Sequence, residues 1–239
     1  MALYVGTSGW AYPAWKPTFY PEKLAQKKFL QHYSTRLNAV EVNYSFRQFI
    51  KEATLQNWIV DTPAGFRFCV KAHQSITHIR RLKNADEQLR RFLDSIQPLA
   101  SAGKLGPALF QLPPNLKCDA ALLEEFCAKL PPNFRAAFEF RHESWFVDEV
   151  FRVLGKHNVA LCFAESDELQ TPVVLTATFS YYRLRKSEYS QEDTAAHIDR
   201  FSRGLQAGRD IYAFIKHEER PESALNAEAL LNATRAAAA

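Results

Sequence analysis

The segment Ala39-Val40-Glu41-Val42-Asn43-Tyr44 decides the fold, because a short apolar run with polar residues at alternate positions is typical of a β-strand. Helical stretches flank it: Leu24–Leu37 lies on the amino side and Glu52–Asp61 on the carboxyl side. The second helix ends at the breaker Thr62-Pro63-Ala64-Gly65. A short strand between two helices is the repeating unit of parallel α/β folds.

The same alternation continues outward along the 239 residues. The predicted strands are Leu3–Thr7, Ala39–Tyr44, Arg67–Ala72, Pro107–Leu112, Ala136–Phe140, Ala160–Ala164, Ser180–Leu184 and Ile211–Lys216. The other predicted helices are Ala85–Ala100, Asp119–Leu130, Phe146–His157, Thr194–Ala207 and Glu222–Ala236. Eight such units in about 250 residues is the size of a TIM-type (β/α)8 barrel, so we predict one barrel domain over residues 1–239. The short link Glu165–Thr178 predicts an irregular or missing helix between strands six and seven.

Glycine is scarce, with 8 residues in the chain, and this excludes several common ligand-binding loops. No G-x-G-x-x-G or G-x-x-x-x-G-K-[ST] pattern is present to cradle phosphates, and the G-x-S-x-G elbow of serine hydrolases is also missing. An open doubly wound sheet, the alternative fold, is disfavoured because its glycine fingerprint after the first strand is lacking. We therefore expect any bound anion to be held by side chains.

Composition and charge are those of an ordinary globular protein. Hydrophobic residues make up 47% and charged residues 23%, which excludes a disordered chain, a collagen and a coiled coil. The 30 basic and 26 acidic residues give a net charge of +4, which permits an anionic partner without requiring one. The four cysteines form no C-x-x-C pair, and no leader or membrane-spanning run is visible, so we expect reduced thiols, a cytoplasmic setting and no membrane contact.

Polar residues end most of the predicted strands, where barrel enzymes place their chemistry. The residues that share an inward face by alternation are Glu41, Asn43 and Ser45 on strand two, Lys71 and His73 on strand three, and Glu139 and Arg141 on strand five. Gln111 ends strand four, Arg183 ends strand seven, and Lys216 or His217 ends strand eight. Charged groups are costly inside a barrel unless they are used, so the pattern predicts a concave polar site with two carboxylates, a lysine and two arginines.

Several chemistries fit such a site. The carboxylates Glu41 and Glu139 could form an acid–base pair, but neighbouring cations would keep both ionised and better suit an anionic ligand. Lys71 could act as a Schiff-base nucleophile if it is desolvated, which requires a carbonyl substrate. A metal site would need several of Glu41, His73, Glu139, Glu165, Asp167 and His217 to face inward together.

The first loop after a strand is rich in aromatic residues. Trp15, Phe19 and Tyr20 are expected to form a hydrophobic plug, whereas Trp10 and Trp145 could equally stack on a ligand. The predicted catalytic residues are Glu41, Lys71 and Glu139. The predicted substrate-binding residues are Trp10, Asn43, Tyr44, His73, Gln111, Arg141, His142, Trp145, Arg183 and Lys216.

These motifs resemble the domain-of-unknown-function 72, or YecE-like, family from residue 1 to about residue 217. The matching pieces are Gly6-Thr7-Ser8-Gly9-Trp10, Glu41-Val42-Asn43-Tyr44-Ser45-Phe46, Phe68-Cys69-Val70-Lys71-Ala72-His73, Phe110-Gln111-Leu112-Pro113-Pro114 and Glu139-Phe140-Arg141-His142-Glu143-Ser144-Trp145. The resemblance implies a single TIM-type barrel with a polar pocket at its strand carboxyl ends, and it implies no activity. Family members commonly carry His-Gly after the strand-seven Arg-Leu and an Asn-rich end to strand eight. Here Arg183-Leu184-Arg185-Lys186 and Phe214-Ile215-Lys216-His217 make that side more basic.

The first functional hypothesis is an enzyme acting on a phosphorylated or otherwise anionic small molecule or nucleic-acid end. Lys71, Arg141 and Arg183 would neutralise charge, and Glu41 or Glu139 would be the general base. One alternative is a non-catalytic nucleic-acid-binding protein, on the strength of the basic cluster Arg80-Arg81-Leu82-Lys83 and the aromatics. The other is a metal-dependent hydrolase. The sequence identifies no cofactor.

Overall fold

Strands and helices alternate along the chain in the computed structural model, which describes residues 1–166, 170–216 and 220–238. The strands are β1 (Leu3–Thr7), β2 (Ala39–Val42), β3 (Arg67–Val70), β4 (Ala108–Gln111), β5 (Ala136–Glu139), β6 (Ala160–Glu165), β7 (Phe179–Leu184) and β8 (Asp210–Ile215). The α-helices are α1 (Phe29–Arg36), α2 (Glu52–Asp61), α3 (Asp86–Ser101), α4 (Ala120–Cys127), α5 (Asp148–Lys156), α6 (Gln191–Gln206) and α7 (Glu222–Ala238). Every predicted strand is present, with its ends shifted by at most two residues.

Between β6 and β7 the described residues contain no helix, as the short link predicts. Two threonine side chains tie this segment to β6 instead. The Thr176 hydroxyl donates to the Val159 carbonyl and accepts from the Leu161 amide, each at 2.8 Å. The Thr171 hydroxyl accepts from the Ala164 amide at 3.2 Å. These bonds satisfy backbone groups of β6 along the segment that takes the place of a helix.

All strand pairs are parallel, but the hydrogen-bonded ladder is not the closed ring that we predicted. Six strands pair in the order β1-β8-β7-β6-β5-β4, and β2 pairs with β3 in a separate two-stranded sheet. Isolated bridges, Phe68 to Leu105 and Lys71 to Leu109, connect β3 to the β4 side. The structure therefore has an α/β fold with a curled, parallel six-stranded sheet, and a complete eight-stranded barrel is not confirmed.

The gap in the ladder between β1 and β2 has a physical cause, because side chains occupy the backbone hydrogen-bonding groups there. Asn38 accepts from the Val5 amide at 2.9 Å and donates to the Leu3 carbonyl at 2.6 Å. The Tyr33 hydroxyl accepts from the Thr7 amide and donates to the Ala39 carbonyl, both at 2.9 Å. A Cβ atom at Gly6 would lie 1.9 Å from the Ala39 carbonyl oxygen, so only glycine permits this approach.

One buried apolar cluster is built mainly from the inward residues of the strands and is distinct from the core under the helices. Its members are Ala39, Cys69, Leu109, Ala137, Ala160, Cys162, Ala164, Ala177, Phe179, Tyr181, Tyr212 and Phe214, with Tyr4 packed against them. Side chains two residues apart on a strand point to the same face. The next inward position beyond this cluster is therefore at the carboxyl end of each strand, which is where the candidate site lies.

No helix among the described residues is both long and apolar enough to cross a membrane. The four cysteines, Cys69, Cys118, Cys127 and Cys162, are free thiols. The cytoplasmic setting expected from the sequence stays a prediction.

Candidate functional site

Five of the residues that the sequence singles out meet at the carboxyl ends of five strands. They are Glu41 on β2, Lys71 after β3, Gln111 on β4, Glu139 on β5 and Arg183 on β7. Each lies two residues beyond an apolar residue of the inner cluster, so the alternation of the strands carries it to the same face. Glu41 and Glu139 are 0% exposed and Arg183 is 3% exposed, so these charges are compensated within the protein.

Arg183 holds both carboxylates at once. Its Nε and Nη2 atoms donate to Glu41 Oε1 at 3.1 and 2.8 Å, while Nη1 donates to Glu139 Oε2. Burial by itself would raise the pKa of each carboxyl group, but the guanidinium outweighs it and lowers the pKa of Glu41. Arg183 and Arg185 together lower the pKa of Glu139 to about 2. Both carboxylates are therefore ionised and already paired.

Three further side chains complete these ion pairs, and the sequence analysis did not single them out as site residues. The Tyr181 hydroxyl donates to Glu41 Oε2 at 2.8 Å, and the Ser8 hydroxyl donates to Glu41 Oε1 at 2.9 Å. Arg185 Nη2 donates to Glu139 Oε1. The alternation that places Arg183 inward also places Tyr181 and Arg185 inward, so that signal could have identified two of the three.

Lys71 is the cation of the cluster that forms no ion pair with a described carboxylate. Its Nζ donates to Gln111 Oε1 at 2.5 Å and lies 4.1 Å from the centre of the Phe46 ring. Gln111 is oriented by its own amide, which donates to Glu139 Oε1 at 2.8 Å. Burial, together with the nearby charge of Arg183, lowers the pKa of Lys71 to about 8.

The formal charges of this cluster do not cancel. Two carboxylates, Glu41 and Glu139, face two guanidiniums, Arg183 and Arg185, and protonated Lys71 leaves one positive charge in excess. An excess cation beside partly buried donors is suited to binding an anion. Part of the Lys71 amine is deprotonated near neutral pH. In that form it can also accept a proton or act as a nucleophile.

The residues predicted to follow Glu41 on β2 separate because the strand ends at Val42. Asn43 stays near the cluster, with its amide nitrogen 3.4 Å from Glu41 Oε1. Ser45 is buried, and its hydroxyl hydrogen-bonds the carbonyls of Val42 and Lys71. Tyr44 is 53% exposed, because Tyr44–Phe46 form a 3-10 turn that rotates it away.

The predicted continuation of β5 also turns away from the site. The strand ends at Glu139, and Arg141 is exposed on the following loop. His142 caps the next turn, where its Nδ1 accepts from the Ser144 amide at 3.2 Å. Trp145 is fully buried, stacks on Phe140 at 4.6 Å and donates from Nε1 to the Leu116 carbonyl at 2.7 Å.

Three other predicted binding residues lie outside the five-residue cluster. His73 Nδ1 lies 2.7 Å from the Ser75 hydroxyl, and its ring stacks on Phe49 at 4.4 Å. The Trp10 ring packs edge-on against Trp58 at 5.0 Å. The last, Lys216, lines a separate cavity of about 690 Å³ beyond β7 and β8. The predicted plug residues Trp15, Phe19 and Tyr20 are all buried.

The residues considered for a metal site do not converge among those described. Glu165 Oε2 lies 3.3 Å from His197 Nε2 on α6, and Glu165 Oε1 lies 3.9 Å from Arg200 Nη1. Asp167 and His217 lie outside the described residues. Within the described part of the chain, no group of three or more His, Cys, Asp or Glu side chains is placed to hold a metal ion.

Sequence comparison links the chain to one family. The model for the family described as "Protein of unknown function DUF72" matches residues 4–239. UPF0759 protein YunF of Bacillus subtilis is 33% identical over 151 residues, which is 60% of this chain and 52% of that protein. UPF0759 protein YecE of Escherichia coli (strain K12) is 29% identical over 145 residues, or 60% and 50% of the two chains. The chain spans about half the length of the curated relatives it matches.

Structural comparison finds the same family. A crystal structure of a DUF72 family protein from Thermotoga maritima MSB8 matches with a TM-score of 0.80 at 24% identity, over 97% of this chain and 98% of that one. One from Enterococcus faecalis V583 matches with a TM-score of 0.78 at 17% identity, over 96% and 95%. Likeness at this level of identity establishes the shared fold and nothing further.

Proposed function

The chain belongs to the DUF72 family, and from this premise we propose that it is an enzyme acting on a small anionic substrate at the carboxyl ends of β2–β5 and β7. The observation that carries the proposal is the uncompensated positive charge of Lys71 beside two guanidiniums. Such a group attracts phosphate or carboxylate, because charge-assisted hydrogen bonds are stronger than neutral ones.

Lys71 is the proton-transferring group in this proposal. The carboxylates of Glu41 and Glu139 are not the general base that the sequence suggests. Glu41 and Glu139 are weak bases because their pKa values are lowered by the arginines that they bind. We assign them to holding Arg183 and Arg185 in place. A base works best with a pKa near the operating pH, which favours Lys71, whose pKa is about 8.

We also infer that residues 1–239 form one domain in which the two sheets close as a barrel around the inner cluster. Asn38 and Tyr33 replace the missing backbone bonds at one gap, and the Lys71–Leu109 bridge spans the other. Closure would bring β2 and β3, with Glu41 and Lys71, to the same rim as β4, β5 and β7. This arrangement supports a single polar pocket at that rim.

Isothermal titration calorimetry with inorganic phosphate and with citrate tests the binding step. Lys71→Met is expected to weaken binding about tenfold, because it removes the excess cation. Lys156→Met is the matched control, since Lys156 is an exposed lysine at the end of α5 paired with Glu124. Equal affinities for wild type and Lys71→Met would overturn the proposal. A screen of phosphate esters and hydroxycarboxylates, with Lys71→Met as the blank, then tests turnover.

The nucleic-acid-binding alternative retains one specific observation. Arg80, Arg81 and Lys83 are exposed on the loop before α3, where Arg81 and Leu82 have positive φ angles of 50° and 68°. Filter binding of single-stranded DNA over a range of salt concentrations tests whether the protein binds nucleic acid. A steep loss of affinity with salt, reduced by Arg80→Ala with Lys83→Ala, would favour this alternative. The metal-dependent hydrolase also stays a prediction, to be tested by elemental analysis of the purified protein.

A further inference from the structure

Gln111 occupies one side of the Lys71 amine. Its amide nitrogen donates to Glu139 at 2.8 Å, so its oxygen must face Lys71 Nζ, 2.5 Å away. An amide oxygen can accept an N–H from either form of the amine, and it favours the ammonium less strongly than a carboxylate at the same place would. The Phe46 ring lies 4.1 Å from Nζ on another side.

Burial is the main cause that favours the neutral amine of Lys71; the charges of Arg183 and Arg185 add to it, and those of Glu41 and Glu139 oppose it. A lysine desolvated beside other positive groups is activated as a nucleophile, because both burial and like charge disfavour its ammonium form. With a pKa of about 8, roughly a tenth of Lys71 is neutral at pH 7, compared with well under one part in a thousand for an ordinary lysine.

Arg185 offers an independent sign of a ligand. Its Nη2 atom is bound to Glu139, but its Nε is buried without a hydrogen-bond partner among the described residues. A buried donor without an acceptor is unfavourable, so an anionic oxygen supplied by a ligand would stabilise it. The Arg185 side chain is 15% exposed, so part of it is accessible from outside the protein.

We propose that Lys71 forms a Schiff base with the substrate, and that the substrate is a carbonyl compound carrying a carboxylate or phosphate next to the carbonyl group. This inference rests on the proposed function and names its substrate class. The anionic group binds Arg185, and the neutral Lys71 amine attacks the carbonyl carbon. A C–N bond forms, the carbonyl oxygen leaves as water with both amine hydrogens, and an imine remains. No oxidant or reductant is needed for this step.

Reductive trapping tests the proposal directly. The whole protein is incubated with pyruvate or dihydroxyacetone phosphate and sodium cyanoborohydride, and modified lysines are located by peptide mass spectrometry. We expect trapping at Lys71 to exceed that at any exposed lysine about tenfold or more at pH 7. Trapping at Lys71 should reach half of its maximum near pH 8, whereas exposed lysines should require a much higher pH.

Two variants serve as controls for the trapping experiment. Lys71→Arg keeps the charge, so it should fold and still bind phosphate while losing the adduct at position 71. Lys156→Arg should trap as wild type does. If both probes label Lys71 no more than the exposed lysines while phosphate binding still depends on Lys71, the Schiff base is wrong and the anion-binding proposal stands. If phosphate affinity is also independent of Lys71, both proposals fail.

Discussion

Lys71 and Lys104 are both largely buried, and the pKa of each is lowered by burial, yet their surroundings differ. Lys104 Nζ donates to three oxygens at the end of α2: the Ile59 carbonyl at 2.7 Å, the Thr62 carbonyl at 2.5 Å and the Thr62 hydroxyl at 2.8 Å. Lys71 Nζ has Gln111 as its hydrogen-bonding acceptor among the described residues. An ammonium has three donors, so Lys104 is fully satisfied and Lys71 is not.

This difference is the basis on which we propose a structural role for Lys104 and a functional role for Lys71. Lys104 satisfies carbonyl groups that a helix leaves unpaired at its carboxyl end, and it has no donor left for a ligand. Lys71 retains hydrogen-bonding capacity and an uncompensated charge in a site rich in cations. Burial alone therefore does not distinguish the two lysines, whereas counting the acceptors around each nitrogen does.

The largest expected effect comes from removing Arg183. Its guanidinium binds the carboxylates of Glu41 and Glu139, and this is what leaves Lys71 without a carboxylate partner. Arg183→Met leaves Glu41 and Glu139 buried with less compensation, which should cost about 3–5 kcal/mol in the free energy of unfolding. Urea denaturation followed by circular dichroism measures it. Arg203→Met, at an exposed arginine paired with Asp199, is the control and should change little. A loss below about 1 kcal/mol for Arg183→Met would mean that the buried pairs are not formed.

The two lysines themselves give the next largest effect. Lys104→Met should lower the free energy of unfolding by about 2–3 kcal/mol, because the Ile59 and Thr62 oxygens lose their donor. Lys71→Met should cost less than about 1 kcal/mol, since it removes a desolvated charge along with one hydrogen bond. Paired urea titrations compare the two directly. If the order of the two losses were reversed, the distinction between the lysines would be wrong.

Binding of an anion should depend on pH through Lys71. Its pKa of about 8 means that the ammonium is present below pH 8 and is lost as the pH rises through that value. Phosphate affinity should therefore fall by up to about tenfold between pH 7 and pH 9. Calorimetry at several pH values measures this fall. Lys71→Arg should flatten it, because a guanidinium stays charged. Lys104→Met should retain the fall, and a fall retained in Lys71→Arg would assign it to another group.

The sequence predicts the strands well, because each is a short apolar run bounded by turn residues. It also predicts the inward positions of Glu41, Lys71, Gln111, Glu139 and Arg183, which follow from alternation within or just beyond a strand. The rule fails where the strand stops. Alternation does not continue past Glu139, because the backbone turns there, so Arg141 is exposed instead of facing inward.

Other features depend on contacts that no local pattern reveals. Tyr33 and Asn38 interrupt the ladder between β1 and β2 through side-chain bonds to residues about 30 positions away in sequence. Ser8 reaches Glu41 in the same way. The sequence predicts that Trp145 could stack on a ligand, but its ring already stacks on Phe140. Tertiary partners decide these cases, and a single sequence does not supply them.

The smallest expected effect tests the role of Gln111. Gln111→Glu would place a carboxylate at the position from which an amide oxygen now accepts from Lys71 Nζ. An opposite charge within hydrogen-bond distance favours the ammonium, so the Lys71 pKa should rise above 8 by about half a unit to one unit. Competitive acetylation with peptide mass spectrometry, repeated across pH, reports the midpoint for each lysine.

Gln97→Glu is the control for this change, because Gln97 is exposed on α3 and its amide contacts Ser101. It should leave the Lys71 midpoint unchanged, and Lys104 should keep its own midpoint in both variants. A midpoint for Lys71 that stays put or falls in Gln111→Glu would show that Glu139 and Arg183 already govern its protonation. In that case Gln111 would only orient the amine, and the contrast with Lys104 would rest on the count of acceptors alone.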